Sequence, residues 1–350
     1  MNYKEIVEIN GERMTKGYIA SLNAEERESL VMPMFEYFRK LGWMLPDYAL
    51  DVLKKEYQRL LDYQPDTSVN EIYNNSSMGN KICQYFCRKS FYQAVDISRG
   101  KVGPTMEENF LNDEILKKIC RNRLGLGWYH EEPFSTFNIT PKMVMYQGQR
   151  SMRLVPLTTL FKSGIAKLLY LKYSSENDLV YDFSAGFGGR LLGAMACNRK
   201  YIGTDPLTAP ELNEMASALG FDKTRYQILG VESEKLVLDD NSLDFALSSP
   251  PYFDQEYYSS ENTQAYNKGE DYFYNVYWEQ TLENIKKALK PQKIFALNIG
   301  ITSDKMLACA KNKFGTPVEI FRLRTIRSHL SKTGKENATK YEPIYVFKKS

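Results

Sequence analysis

From about residue 154 onward, apolar runs of strand length alternate with amphipathic stretches of helix length, and this alternation constrains the fold more than any other feature of the chain. The spacing predicts strands over residues 179–183, 201–204, 226–229, 243–247, 294–299, 318–323 and 344–347. Helices are expected over 161–173, 190–197, 210–219, 275–289 and 305–313. Such strands cannot bury both faces alone, and interleaved helices cover the two sides of a parallel sheet. An α/β fold is therefore expected, with a doubly wound, mostly parallel, seven-stranded sheet. Ligands of such sheets bind at the carboxyl ends of the strands.

The first third reads differently. Apolar residues at helical spacing predict helices over 24–41, 48–61, 81–95 and 107–123, and the polar stretch 62–80 reads as a loop. The expected organisation is a helical N-terminal domain over 1–125, a connecting segment over 126–153 and the sheet domain over 154–350. A chain of 350 residues with 43% hydrophobic content can bury a core of that size. The formal net charge is only +3, so a surface for a polyanion must come from local clustering. The five cysteines are scattered and odd in number, which speaks against a disulfide framework, and no metal site is expected. The N-terminus has no apolar signal core and no long apolar run occurs, so a cytoplasmic protein without a membrane span is expected.

The first strand-to-helix turn of the sheet carries Asp182, Ser184, Ala185, Gly186, Gly188, Gly189 and Arg190. Glycines there let the backbone bend sharply and approach a ligand, while a helix N-terminus offers free N–H groups to an anion such as an amino-acid carboxylate. The third glycine of a dinucleotide-binding fingerprint is replaced by Leu191, and the Gly-Lys-Ser/Thr of a P-loop is absent. The alternative is a tight turn used for packing. The next strand ends at Thr204 and Asp205, about 20 residues on, where a carboxylate can accept hydrogen bonds from ribose hydroxyls. The alternative for Asp205 is an N-cap of the following helix. Glu232, after the third strand, stands where an adenine contact is expected.

Ser248, Ser249, Pro250, Pro251 and Tyr252 follow the fourth strand directly. Paired prolines fix φ and remove donors, leaving carbonyls as acceptors. An exocyclic amino group presents two N–H donors and a lone pair delocalised into its ring. Ser249 and the Pro250 carbonyl can accept those hydrogens, and Tyr252 can stack on a base withdrawn from its helix. The alternative is a rigid turn with Tyr252 as a lid over the core.

Together these motifs resemble those of the S-adenosylmethionine-dependent amino-methyltransferases, the N4-cytosine and N6-adenine DNA enzymes. The resemblance covers roughly residues 154–349 and implies a class I methyltransferase-like sheet. It implies that S-adenosyl-L-methionine is held by Asp182, Ser184, Ala185, Gly186, Gly188, Gly189, Arg190, Asp205, Glu232 and Ser248. It also implies that Ser249, Pro250, Pro251 and Tyr252 hold the target base. Ser249 before Pro-Pro-Tyr resembles the cytosine members more than the adenine ones. The loop Gly-Phe-Gly-Gly-Arg is also similar to methylase-like proteins of bacteriophages and mobile elements.

DNA is the expected partner, ahead of RNA, because no RNA-binding module is present. A catalytically silent binding protein of the same fold is the other alternative. Phosphate contacts are expected from the basic cluster near the C-terminus, Arg322, Arg324, Arg327, Lys332 and Lys335. The aromatic, polar stretch 253–278 is expected to form a lid over cofactor and base. The N-terminal helices are left for a second copy or a protein partner.

Overall fold

The computed structural model describes residues 3–95, 97–98, 101–126, 137–155, 159–251, 253, 257–261, 263–300, 304–325 and 340–350. The chain divides into two compact units. One comprises residues 1–47, 88–158 and 255–258; the other comprises 48–87, 159–254 and 259–350. This differs from the expected boundary near residue 125, because residues 48–87 belong with the sheet.

The second unit is built on eight strands, not seven: β1 (Glu71–Tyr73), β2 (Leu179–Asp182), β3 (Lys200–Thr204), β4 (Tyr226–Leu229), β5 (Leu243–Ser248), β6 (Leu289–Asn298), β7 (Glu319–Thr325) and β8 (Lys340–Lys348). Their order across the sheet is β1-β7-β8-β6-β5-β2-β3-β4. Only β8 runs against the rest, antiparallel to both β6 and β7. The seven expected strands are all present. The extra one, β1, lies in the stretch expected to be a loop and forms an edge of the sheet, pairing in parallel with β7 through Glu71 and Arg322, Ile72 and Leu323, and Tyr73 and Arg324.

Helices of this unit are α1 (Leu50–Asp62), α2 (Asn80–Phe86), α3 (Ser163–Tyr173), α4 (Gly189–Met195), α5 (Ala209–Ala218), α6 (Glu279–Ala288) and α7 (Asp304–Phe314). A π-helical turn, Phe273–Trp278, leads into α6. The core beneath α6 and α7 is aromatic: Phe295 lies 5.1 Å from Phe314 and 6.0 Å from Phe347, and Phe183 lies 5.9 Å from Trp278, between ring centroids. On α3 every residue from Ser163 to Tyr170 is buried.

Lys167 explains why residues 48–87 join this unit. Its buried ammonium donates to the carbonyls of Leu60 at 2.9 Å and Leu61 at 2.8 Å, in the last turn of α1. Those carbonyls have no partner within the helix, and a cation there also meets the negative end of the helix dipole. Lys172, one turn on, donates to the Val69 carbonyl at 2.7 Å, just ahead of β1.

The first unit is mostly helical, and its predicted helices are interrupted. The stretch expected as one helix over 24–41 is divided into Ala24–Ser29 and Val31–Leu41. That over 107–123 is divided at Asn112, whose side chain caps the second piece by accepting from the Ile115 amide at 3.1 Å. Tyr146 gathers the core of this unit, 5.3 Å from Trp43 and 4.5 Å from Tyr92 between centroids. Cys83, Cys87, Cys120 and Cys197 are buried, and burial pushes the Cys83 and Cys120 thiols up to about 12. No group of residues able to hold a metal ion occurs among the described residues. Nor is any helix among them long and apolar enough to cross a membrane.

Helices α3 and α4 meet at glycine. A Cβ on Gly189 would stand 1.9 Å from the Phe161 carbonyl oxygen, and one on Gly193 would stand 2.6 Å from Ala166 Cβ. Gly189→Ala is expected to lower the melting temperature by about 2–12 °C, from an overpacking cost of roughly 1–3 kcal/mol in a domain of this size. Gly17→Ala, where nothing lies within 4 Å, is expected to leave it unchanged; differential scanning calorimetry of both variants checks the contrast.

Candidate active site

The loop between β2 and α4 is held from behind by a buried network. The Asp182 carboxylate accepts from Arg190 Nε at 2.8 Å, from the Tyr201 hydroxyl at 2.9 Å and from Ser248 Oγ at 2.7 Å. Asp182 and Ser248 are fully buried and Arg190 is 4% exposed. Burial alone depresses a guanidinium, yet the adjoining Asp182 carboxylate leaves Arg190 raised. Burial and the same carboxylate raise the Tyr201 phenol well above its ordinary value. Asp182, Arg190 and Ser248 thus spend their polar atoms on one another, and none lines the adjacent cavity.

The glycines divide by task. Gly186 and Gly188 have φ of +54° and +84°, a region side chains rarely adopt. A Cβ on Gly188 would also stand 2.7 Å from Leu212 of α5. Gly188 and Gly189 therefore satisfy the packing alternative as well as the turn. Ala185 is buried, and its amide donates to the Thr204 carbonyl at 2.9 Å.

Asp205 faces both the cavity and the turn before α5. It lines the cavity. One oxygen accepts from the Gly186 amide at 2.9 Å, and the other accepts from the Leu207 and Thr208 amides at 3.0 Å each. It therefore braces the glycine loop and caps the turn before α5. Desolvation raises its pKa, against the lowering effect of these bonds.

The cavity, about 370 Å³ counted to its open mouth, lies at the carboxyl ends of β2–β5. Ser184, Asp205, Glu232 and Pro251 line it, so the glycine loop and the proline turn open onto one space. Glu234 lines it as well, together with Thr263, Gln264 and Ala265 from the stretch expected to form a lid. Lys235 and Lys268 both pair with Glu232, and the Tyr272 hydroxyl donates to Glu234 at 2.8 Å. The acids after β4 are thereby tied to residues 263–272.

Ser249 is half-buried and Pro250 buried, directly after β5. Pairing of Leu297 with Ser248 sets Asn298 beside Ser249 on the neighbouring strand. Asn298 is buried and donates to the Pro343 carbonyl at 3.1 Å. It also hydrogen-bonds Glu342, whose carboxyl burial raises above 4.5. Sequence reasoning did not single out Asn298, Glu342, Tyr201 or Glu234. An acid inside the apolar run 340–348 was the available signal for Glu342.

The basic cluster is only partly covered. Arg322 is exposed. Arg324 pairs with Glu71 at 3.1 Å and lies 4.6 Å over the Tyr73 ring, so it braces β1 against β7. Tyr252, Arg327, Lys332 and Lys335 lie outside the described residues.

No protein-family model and no curated protein matches this chain by sequence. Among solved structures it is similar to a tRNA (m1A58) methyltransferase from Aquifex aeolicus, at 10% identity and a TM-score of 0.38 over 55% of this chain and 71% of that one. It is also similar to an S-adenosylmethionine-dependent O-methyltransferase from Thermotoga maritima, at 16% identity and a TM-score of 0.36 over 55% and 67%. A third is 1,6-didemethyltoxoflavin-N1-methyltransferase from Burkholderia thailandensis, at 16% identity and a TM-score of 0.37 over 54% and 76%.

Two consequences follow for stability. Arg190→Met leaves the Asp182 charge buried and without its cation, a loss of about 3–5 kcal/mol that urea denaturation at pH 7 is expected to register. The raised Glu342 pKa means that the folded state holds its proton more tightly than the unfolded chain. Its contribution is therefore unfavourable to folding as pH rises from about 4.5 through the folded value. Glu342→Gln is expected to melt higher than the parent at pH 7–8 and equally near pH 4, as followed by thermal melts across that range.

Proposed function

We propose that this chain is an S-adenosyl-L-methionine-dependent methyltransferase that modifies an exocyclic amino group of a DNA base, N4 of cytosine or N6 of adenine. The observation that carries the reading is the shared cavity: Ser184 and Asp205 of the nucleoside-binding motifs and Pro251 of the proline turn line one space. The residues present fit the cofactor. Gly186, at positive φ, donates its amide to Asp205 of the cavity wall, and acidic acceptors stand at the ends of β3 and β4. When bound, the cofactor supplies a sulfonium-activated methyl group.

The chain's residues have distinct tasks in this reading. Asp205, fixed by three backbone amides, has one lone-pair site left for a ribose hydroxyl, and Glu232 stands nearby. Ser249 and the Pro250 carbonyl accept the two N–H groups of the target amine. Holding those hydrogens out of the ring plane turns the nitrogen lone pair towards the methyl donor, and the rate gain comes from that orientation. The proton released by the amine passes to solvent. Tyr252 stacks on the base withdrawn from its helix. Exposed Arg322, with Arg327, Lys332 and Lys335, supplies phosphate contacts that orient DNA without reading its sequence.

The test is incubation of the purified protein with S-adenosyl-L-methionine and either genomic DNA or total RNA, followed by nucleoside mass spectrometry. N4-methylcytosine or N6-methyladenine in DNA is expected, and Tyr252→Ala is expected to abolish it while leaving cofactor affinity within about twofold, since its role is confined to the base. Product in RNA alone would replace DNA as the substrate, and no product in either would remove the reading.

A further inference from the structure

Gln264, a residue of the cavity wall, has a side-chain donor without a partner among the described residues. Its Nε2 is closed to solvent and makes no hydrogen bond among the described residues, although the residue lines the cavity with Asp205, Glu232 and Glu234. A shielded amide N–H without an acceptor is rare in folded proteins and calls for a physical reason.

The backbone around Gln264 is well held. Its amide donates to the Glu261 carbonyl at 3.1 Å, and its own carbonyl accepts from the Asn267 amide at 3.0 Å. Asn267 Nδ2 donates to the carbonyls of Ser259 and Glu261, each at 2.8 Å. Lys268 and Tyr272 then fasten the segment to Glu232 and Glu234. The unpartnered donor is thus carried by a braced loop.

The polar character of the cavity decides what this donor can meet. Asp205, Glu232 and Glu234 are acceptors when ionised and suit ribose hydroxyls or an exocyclic amine. A purine ring also carries nitrogen lone pairs, which a carboxylate repels and an amide N–H satisfies. We infer that Gln264 recognises the adenine ring of the bound nucleoside, donating Nε2–H to a ring nitrogen, and that residues 263–265 form a wall of the cofactor pocket. This assignment rests on the cofactor reading proposed above and adds to it a residue drawn from the segment after the proline turn.

Calorimetric titration with S-adenosylhomocysteine and, separately, with methylthioadenosine tests it. Gln264→Ala is expected to weaken both by a similar factor of about tenfold, because both carry the adenine and only one carries the amino-acid moiety. Gln264→Glu, similar in shape but without the donor, is expected to weaken both further. Circular dichroism and the melting temperature without ligand are expected to match the parent for both variants. If the parent binds and either variant binds equally well, the assignment of Gln264 is overturned while the cofactor reading stands. If only S-adenosylhomocysteine is weakened, the contact is to the amino-acid moiety and the assignment is again overturned. If the parent binds neither probe, the cofactor reading falls and this inference with it.

Discussion

The Asp182 carboxylate, buried at the end of β2, is the interaction on which the rest of the sheet's upper edge depends. Its donors come from three separate elements: Arg190 on α4, Tyr201 on β3 and Ser248 at the end of β5. One charged group thereby ties the ends of β2 and β5 to β3 and to the start of a helix. A buried carboxylate is stable only when its oxygens are satisfied and its charge is paired, and both conditions are met here. The glycine loop lies between Asp182 and Arg190, so its path is set by the pair that spans it.

A second brace acts from the cavity side. Asp205 receives amides from Gly186, Leu207 and Thr208, and Thr208 Oγ1 donates to the Gly186 carbonyl at 2.6 Å. The loop is therefore held at both ends of its bend by carboxylates with different surroundings. Asp182 is sealed in the core, whereas Asp205 lines a cavity. Close approach of α3 and α4 at Gly189 and Gly193 removes the remaining freedom of the loop, because side chains there would meet backbone or methyl groups. Preorganisation of this kind lowers the entropy lost when a ligand is ordered against the loop.

Electrostatics shape the other wall. Glu232 and Glu234 follow β4, and Lys235, Lys268 and Tyr272 answer them. Two of these partners belong to the segment after the proline turn. The acids that line the cavity thus also anchor the segment after the proline turn. Buried Asn298 and half-buried Glu342 add a polar pair beside Ser249, on neighbouring strands.

The sequence by itself determined the seven strands from residue 179 onward, the turns that join them and the positions of the two motifs. Those features are local: period-two and helical spacing, glycine at sharp bends and proline where donors are removed are visible within a few residues. Tertiary structure decided the rest. β1 has three residues and no strand pattern of its own, and it exists because the edge of β7 supplies a ladder. Residues 48–87 join the sheet unit because the Lys167 ammonium reaches the end of α1, a contact that no periodicity encodes. The motif spacing marked Asp182 and Arg190 for a ligand; the fold turns both inward, since each is the other's nearest means of satisfying a buried charge. Gln264 was only one polar residue in an aromatic stretch, and its unpartnered amide emerges when the chain closes around a cavity. Local pattern encodes which residues can bend, pair or bury, whereas the partner each polar atom meets is set by segments far apart in the chain.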